Sequence, residues 1–153
     1  MKKEIRELVE FALSDELNRH KVISIGTVTK KQAEIIKKIT GIEMYGCFRI
    51  IDTSAIRHIL RNHSFTKQEE SRGQIAVTID DFENIPHYVT NASKIEYTGK
   101  NRIKQDSFQY TTEEDGTIII IEGVIINKRG NKMQIETMYK KKKKQPQINT
   151  IAL

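Results

Sequence analysis

Two histidines, His58 and His63, stand five residues apart in a segment that also carries Arg57 and Arg61. Imidazole is the one side chain whose unperturbed pKa lies near neutrality, so it can both take and give a proton there. Guanidinium groups grip phosphate oxygens in bidentate fashion. Histidines among arginines therefore suggest proton transfer beside a phosphate. The spacing argues against a metal pair, because helical zinc ligands prefer i and i+4, and these are i and i+5. Cys47 is the only cysteine, so neither an internal disulfide nor a cysteine-based zinc site can be built.

The elements that must hold these residues show in local patterns. Met44 to Ile51 reads as extended chain, and Asp52, Thr53 or Ser54 can cap a helix after it. On that helix Ile56, Ile59, Leu60 and His63 share the apolar face. His58 falls nearly opposite, with Arg61 and Asn62 toward its side, so the histidines are not expected to pair. Upstream, Ile5, Leu8, Val9, Ala12 and Leu13 recur at helical spacing. Val22 to Val28 reads as a strand. Thr29 with Gln32 forms a capping-box pattern, opening a helix that turns Ala33, Ile35, Ile36 and Ile39 inward and ends at Gly41. Downstream, Glu69, Glu70 and Arg72 form either a solvated loop or a support for the site. Gln74 to Ile79 is strand-like or an extended lead-in. Thr78 can cap a helix carrying Phe82, Ile85 and Val89, with Pro86 inside it.

From Lys94 onward the period changes to two. Strands are predicted over Lys94–Thr98, Lys104–Thr111, Thr117–Ile126 and Lys132–Tyr139, and short turns make the last three an antiparallel meander. Alternation puts Met133, Ile135, Thr137 and Tyr139 on one face of the last strand, and Gln134, Glu136 and Met138 on the other. The expected fold class is α+β, with N-terminal helices packed on a four-stranded antiparallel sheet. Residues 1–44 are expected to be a helical extension packed on the same domain. Residues 45–140 form the main domain, and residues 141–153 a disordered basic tail.

The formal net charge is +6, from 26 Lys plus Arg against 20 Asp plus Glu in 153 residues. That excess favours an anionic partner such as nucleic acid, or serves solubility alone. The lysine run from Lys140 to Lys144 can add affinity for a phosphate backbone. Glu4, Glu7 and Glu10 interrupt the apolar part of the N-terminus, which is therefore not read as an export signal. No apolar run approaches the roughly 20 residues that span a bilayer. A cytoplasmic location and no membrane partner are expected.

The segments RIIDTSAIRHILRNH and ESRGQIAVTIDDFENIP, with a closing strand ending TMYK, resemble the phage-associated branch of the barnase–EndoU–colicin–RelE-like nuclease superfamily. The likeness is greatest to the nuclease-type domain numbered three in that series, and it covers roughly Tyr45 to Lys144. It implies a metal-independent endoribonuclease fold of the kind found in toxins and in phage or prophage proteins, without a cofactor. The superfamily's active site lies on the concave face of the sheet. The matching positions here are Arg57, His58 and His63 on the helix and Thr137 and Tyr139 on the last strand. Lys94, Arg102 and Lys104 are placed along the same groove as further contacts to RNA.

The chemistry so implied is attack of a ribose 2′-OH on the neighbouring phosphate. A base removes the 2′ proton, an acid protonates the 5′-oxygen, and cationic or hydroxyl groups steady the charge that develops. His58 and His63 are the candidates for proton transfer. RNA, with transfer RNA among the candidates, is the expected partner, and a toxin-like domain also implies an inhibitor or immunity protein. The competing reading is a non-catalytic nucleic-acid-binding or phage accessory module built on the same fold.

Overall fold

The computed structural model describes residues 1–142. The chain runs α1 (Lys2–Ser14), β1 (Val22–Thr27), α2 (Lys30–Thr40), β2 (Phe48–Asp52), α3 (Thr53–His63), α4 (Thr66–Ser71) and β3 (Gln74–Ile75). It continues with α5 (Ile79–Glu83), α6 (Ile85–Thr90), β4 (Lys94–Lys100), β5 (Asp106–Glu113), β6 (Thr117–Ile125) and β7 (Lys132–Lys141). Local chemistry accounts for most boundaries. Thr29 and Asp52 accept the backbone N–H groups of Gln32 and Ala55, three residues on, and so cap α2 and α3. Thr78 and Asp81 form a full capping box at the start of α5. Gln32 does not complete a box with Thr29, because its side chain turns inward to the Val89 carbonyl and Arg49. Asn84 breaks the single helix expected over residues 80–89 into α5 and α6, with Pro86 in the first turn of α6, where its missing N–H is harmless.

The sheet corrects the four-stranded expectation. Seven strands form one mixed sheet in the order β1-β2-β7-β6-β5-β4, with β3 pairing only with β7. The β4–β7 meander is antiparallel as expected. It is extended because β2 runs parallel to β7, with Phe48 opposite Lys132 and Ile50 opposite Gln134, and β1 pairs antiparallel with β2. A parallel pairing of segments some 80 residues apart leaves no local turn signal, which is why the alternating pattern did not reveal it. Residues 1–44 accordingly include a sheet strand as well as two helices. Lys104 lies before β5 in a left-handed turn, and only Gln74–Ile75 of the strand-like stretch pairs.

The core lies between one face of the sheet and the helices. It joins Ile5, Leu8 and Val9 of α1, Ile56 and Ile59 of α3 and Phe82 of α5 to Phe108, Ile120, Ile135 and Met138 of the sheet. Burying each such side chain contributes about 1.5–3 kcal/mol. Within it sits a buried ionic group. Arg49 of β2 holds both carboxylate oxygens of Glu122 in β6 and the Gln32 side-chain oxygen. The lysine run also begins inside the fold, since Lys140 and Lys141 belong to β7. The Lys140 ammonium lies 3.1 Å from the Asp81 carboxylate. The remainder of the expected disordered tail, residues 143–153, lies outside the described residues.

Candidate active site

Helix α3 carries both histidines, and the sheet fixes where it starts, because Thr53 follows Asp52 of β2 without a loop. Pairing of β2 with β7 ends at Gln134, and β3 pairs with β7 only at Lys140 and Lys141. Among the described residues, the stretch of β7 between these points has no strand neighbour on that side, and α3 packs there.

A bulge decides which β7 side chains face the site. Thr137 pairs with Ile121, but Ile135 pairs with Glu122, so Glu136 is an extra residue. The alternation flips across it: Met133, Ile135 and Met138 are buried in the core. The expected face of Met133, Ile135, Thr137 and Tyr139 is therefore wrong. Thr137 and Tyr139 do share a face, together with Gln134, and it is the face opposite the core residues Met133, Ile135 and Met138.

The histidines also meet, against the helical-wheel reading. Their ring centroids are 6.2 Å apart in an edge-on arrangement. The side chains leave the helix at well-separated angles, but imidazoles are long enough to bend toward each other at the end of the helix, where His63 is the last residue. The His63 ring lies 5.6 Å from the Tyr139 ring. His63 Nδ1 lies 3.3 Å from the Glu69 carboxylate of α4, which is fully buried. Arg72 donates to the same carboxylate at 3.1 Å and to the Asn62 carbonyl at 2.8 Å, tying α4 to the end of α3.

Burial acts in opposite directions on His58 and on the Tyr139 hydroxyl. Partial burial, helped by the neighbouring His63 and Arg61, holds the His58 imidazole below its ordinary value. Burial pushes the Tyr139 phenol up, so its hydroxyl stays protonated and able to donate. The Lys141 ammonium lies 5.9 Å from the Tyr139 ring centroid. The Thr137 hydroxyl and the Gln74 side-chain oxygen are buried without a hydrogen-bond partner among the described residues.

Beside His58 a cleft of about 380 Å³ is lined by Asp52, Ser54, Arg102, Gln134 and Glu136. Asn101 donates to Glu136 and to Gln105, which seats the β4–β5 turn over Gly123. A Cβ at Gly123 would lie 2.5 Å from Glu136 Oε1, so the end of the Glu136 side chain would have to move. His20 lies 3.2 Å from Asp52 at the N-terminal end of α3.

Of the residues singled out by sequence, the structure gathers His58, His63, Thr137 and Tyr139, with Arg102 at the cleft. Lys94 lies on the same face, but the register Lys94–Thr111–Ile119–Tyr139 puts it three strands from Tyr139, about 14 Å away. Arg57 is not at the site. It points to the Asp15 carboxylate at 3.7 Å and donates to the Arg19 carbonyl at 3.2 Å, stapling α3 to the end of α1. Lys104 is also outside the cleft, beside Lys100 and Ile126. Sequence reasoning left Glu69 undecided and missed Gln74, Gln134 and Asn101. Their positions depend on chain reversals that spacing does not report.

Among the described residues, no group of three or more His, Cys, Asp or Glu side chains stands together in a way that could hold a metal ion. No helix there is long and apolar enough to cross a membrane. No curated protein and no solved structure matches the chain. Residues 26–147 do match a family, and the match starts earlier than the resemblance read from Tyr45, taking in the end of β1 and all of α2. It spans every residue gathered above apart from His20. On that match the chain belongs to the phage-Barnase-EndoU-ColicinE5/D-RelE like nuclease3 family.

Proposed function

We propose that this domain is an endoribonuclease that cleaves RNA by 2′-OH attack and needs no metal ion. The observation that carries the reading is the cluster at the end of α3. There His63 has the Tyr139 ring and a buried carboxylate as neighbours and lies 6.2 Å from His58, against the face of β7 that carries Tyr139.

In this reading His58, whose surroundings disfavour its charged form, takes the 2′-OH proton. The 2′-oxygen bonds to phosphorus, and the bond from phosphorus to the 5′-oxygen breaks. His63, with Nδ1 turned to Glu69, presents Nε2 and gives a proton to the departing 5′-oxygen. Tyr139, protonated, donates to a non-bridging oxygen, and Lys141 adds positive charge behind it. Thr137 lies two residues away on the same face, with its hydroxyl buried. Arg102 at the cleft and the more distant Lys94 serve the flanking phosphates. The products are a 2′,3′-cyclic phosphate and a free 5′-hydroxyl.

The test is cleavage of cellular RNA in EDTA by wild type, His58→Ala, His63→Ala and Tyr139→Phe, with end-group analysis. Each histidine substitution is expected to lower the rate by about 10²–10⁴-fold, the range of a positioned proton carrier, while RNA binding changes little. An oligonucleotide with a 2′-deoxy sugar at the scissile position should resist. Activity only after addition of a divalent ion, or equal cleavage of DNA, defeats the proposal. Salt-dependent binding with no cleavage at all marks a nucleic-acid-binding module instead.

A further inference from the structure

We infer that Glu69 is a positioning residue for His63, holding the proton on Nδ1 so that Nε2 is the atom that exchanges protons with the substrate. The inference rests on the ribonuclease reading for its kinetic consequence, but the contact itself is a property of the free protein.

Glu69 lies in the short, otherwise exposed helix α4, yet its side chain is 0% exposed. Taking a carboxylate out of water is unfavourable unless its oxygens are bonded, and an apolar side chain of similar size generally fills such a place as well or better. Its oxygens have two side-chain partners, one each. Arg72 is bonded to Oε1 and is itself 40% exposed, so it is a locally satisfied surface cation. His63 Nδ1 faces Oε2. Arg72 also bonds the Asn62 carbonyl, one residue before His63, so carboxylate and imidazole are held in one frame. A second carboxylate, Glu70, is adjacent in sequence and exposed. The chain therefore carries the buried charge at the one position that touches the histidine.

The groups facing His63 come from three elements. His58 lies on its own helix, Glu69 on α4, and Tyr139 on β7, with Arg72 behind Glu69 and Lys141 behind Tyr139. Only Glu69 is a negative acceptor. A ring nitrogen turned to a carboxylate keeps its proton, which leaves the other nitrogen to work. Without that acceptor the neutral ring can hold its proton on Nε2 and turn away from the leaving oxygen.

The test uses the full chain with ¹⁵N-labelled histidine. In wild type the neutral His63 ring is expected as the Nδ1–H form. In Glu69→Met that signature is lost, and in Glu69→Asp it is partly regained. In the cleavage assay Glu69→Met should lower kcat by at least about tenfold, within the range a positioned proton carrier supplies, with KM little changed. A purely structural role predicts the reverse: an unchanged tautomer signal and a large loss of thermal stability. Retention of the Nδ1–H form in Glu69→Met overturns the inference whether or not the protein cleaves RNA. If wild type shows the signature but no cleavage, the ribonuclease reading falls and the positioning contact stands.

Discussion

Removing the carboxylate from Glu122 should destabilise this protein more than any surface change. The Arg49 side chain is 1% exposed and that of Glu122 is 0% exposed. The guanidinium makes both of its carboxylate bonds to Glu122, one more to Gln32, and lies 5.5 Å from the Tyr110 ring. In Glu122→Gln the cation stays buried with only neutral partners, and loss of one member of such a pair costs about 3–5 kcal/mol. For a chain of this length each kcal/mol moves Tm by roughly 2–4 °C, so a fall of roughly 6–20 °C is expected. Removing both charges, as in Arg49→Met with Glu122→Met, should recover most of that loss, because neither ion is then stranded. Urea and thermal unfolding followed by circular dichroism measure all three proteins. The pair also links the core to the site, since Arg49 fixes β2, and β2 runs straight into α3. If Glu122→Gln unfolds within about 1 kcal/mol of wild type, or the double variant is as weak as the single one, the pair does not hold β2 in the way described.

Three further outcomes follow from particular contacts. Because burial holds the His58 imidazole below its ordinary value, the rising limb of kcat/KM against pH should lie below about 6.5, and Arg61→Ala, which removes a nearby positive charge, should move it upward. Gly123→Ala should push the Glu136 carboxylate off Asn101 and loosen the β4–β5 turn, costing about 0.5–1.5 kcal/mol in unfolding experiments; an unchanged stability would mean the hydrogen bond contributes nothing there. The hydrogen bond from Arg19 holds the Asp15 carboxyl at about 2, against 3.8 for an unperturbed group, so its stabilising effect is complete above the unfolded value. That effect drains away as pH falls from about 4 to about 2 and should be missing from the acid unfolding curve of Asp15→Asn.

Much of the secondary structure was legible in the chain. Thr29, Asp52 and Thr78 announced three helix starts, Gly41 a helix end, and the change to a period of two at Lys94 announced the meander. These signals are legible because caps, apolar stripes and tight turns are settled by residues within a few positions of one another. The presence of His58, His63 and Tyr139 was equally plain. What brought them together was not. The parallel β2–β7 pairing joins segments some 80 residues apart, and the extra residue at Glu136 alone re-aims Thr137 and Tyr139. Glu69 stood open between a solvated loop and a support for the site until α4 folded back and buried it against His63. Arg57, on the other hand, looked like a phosphate ligand but is spent on Asp15. In each case the deciding partner is distant in sequence, and a distant partner is chosen by how the whole core packs, which no local pattern encodes.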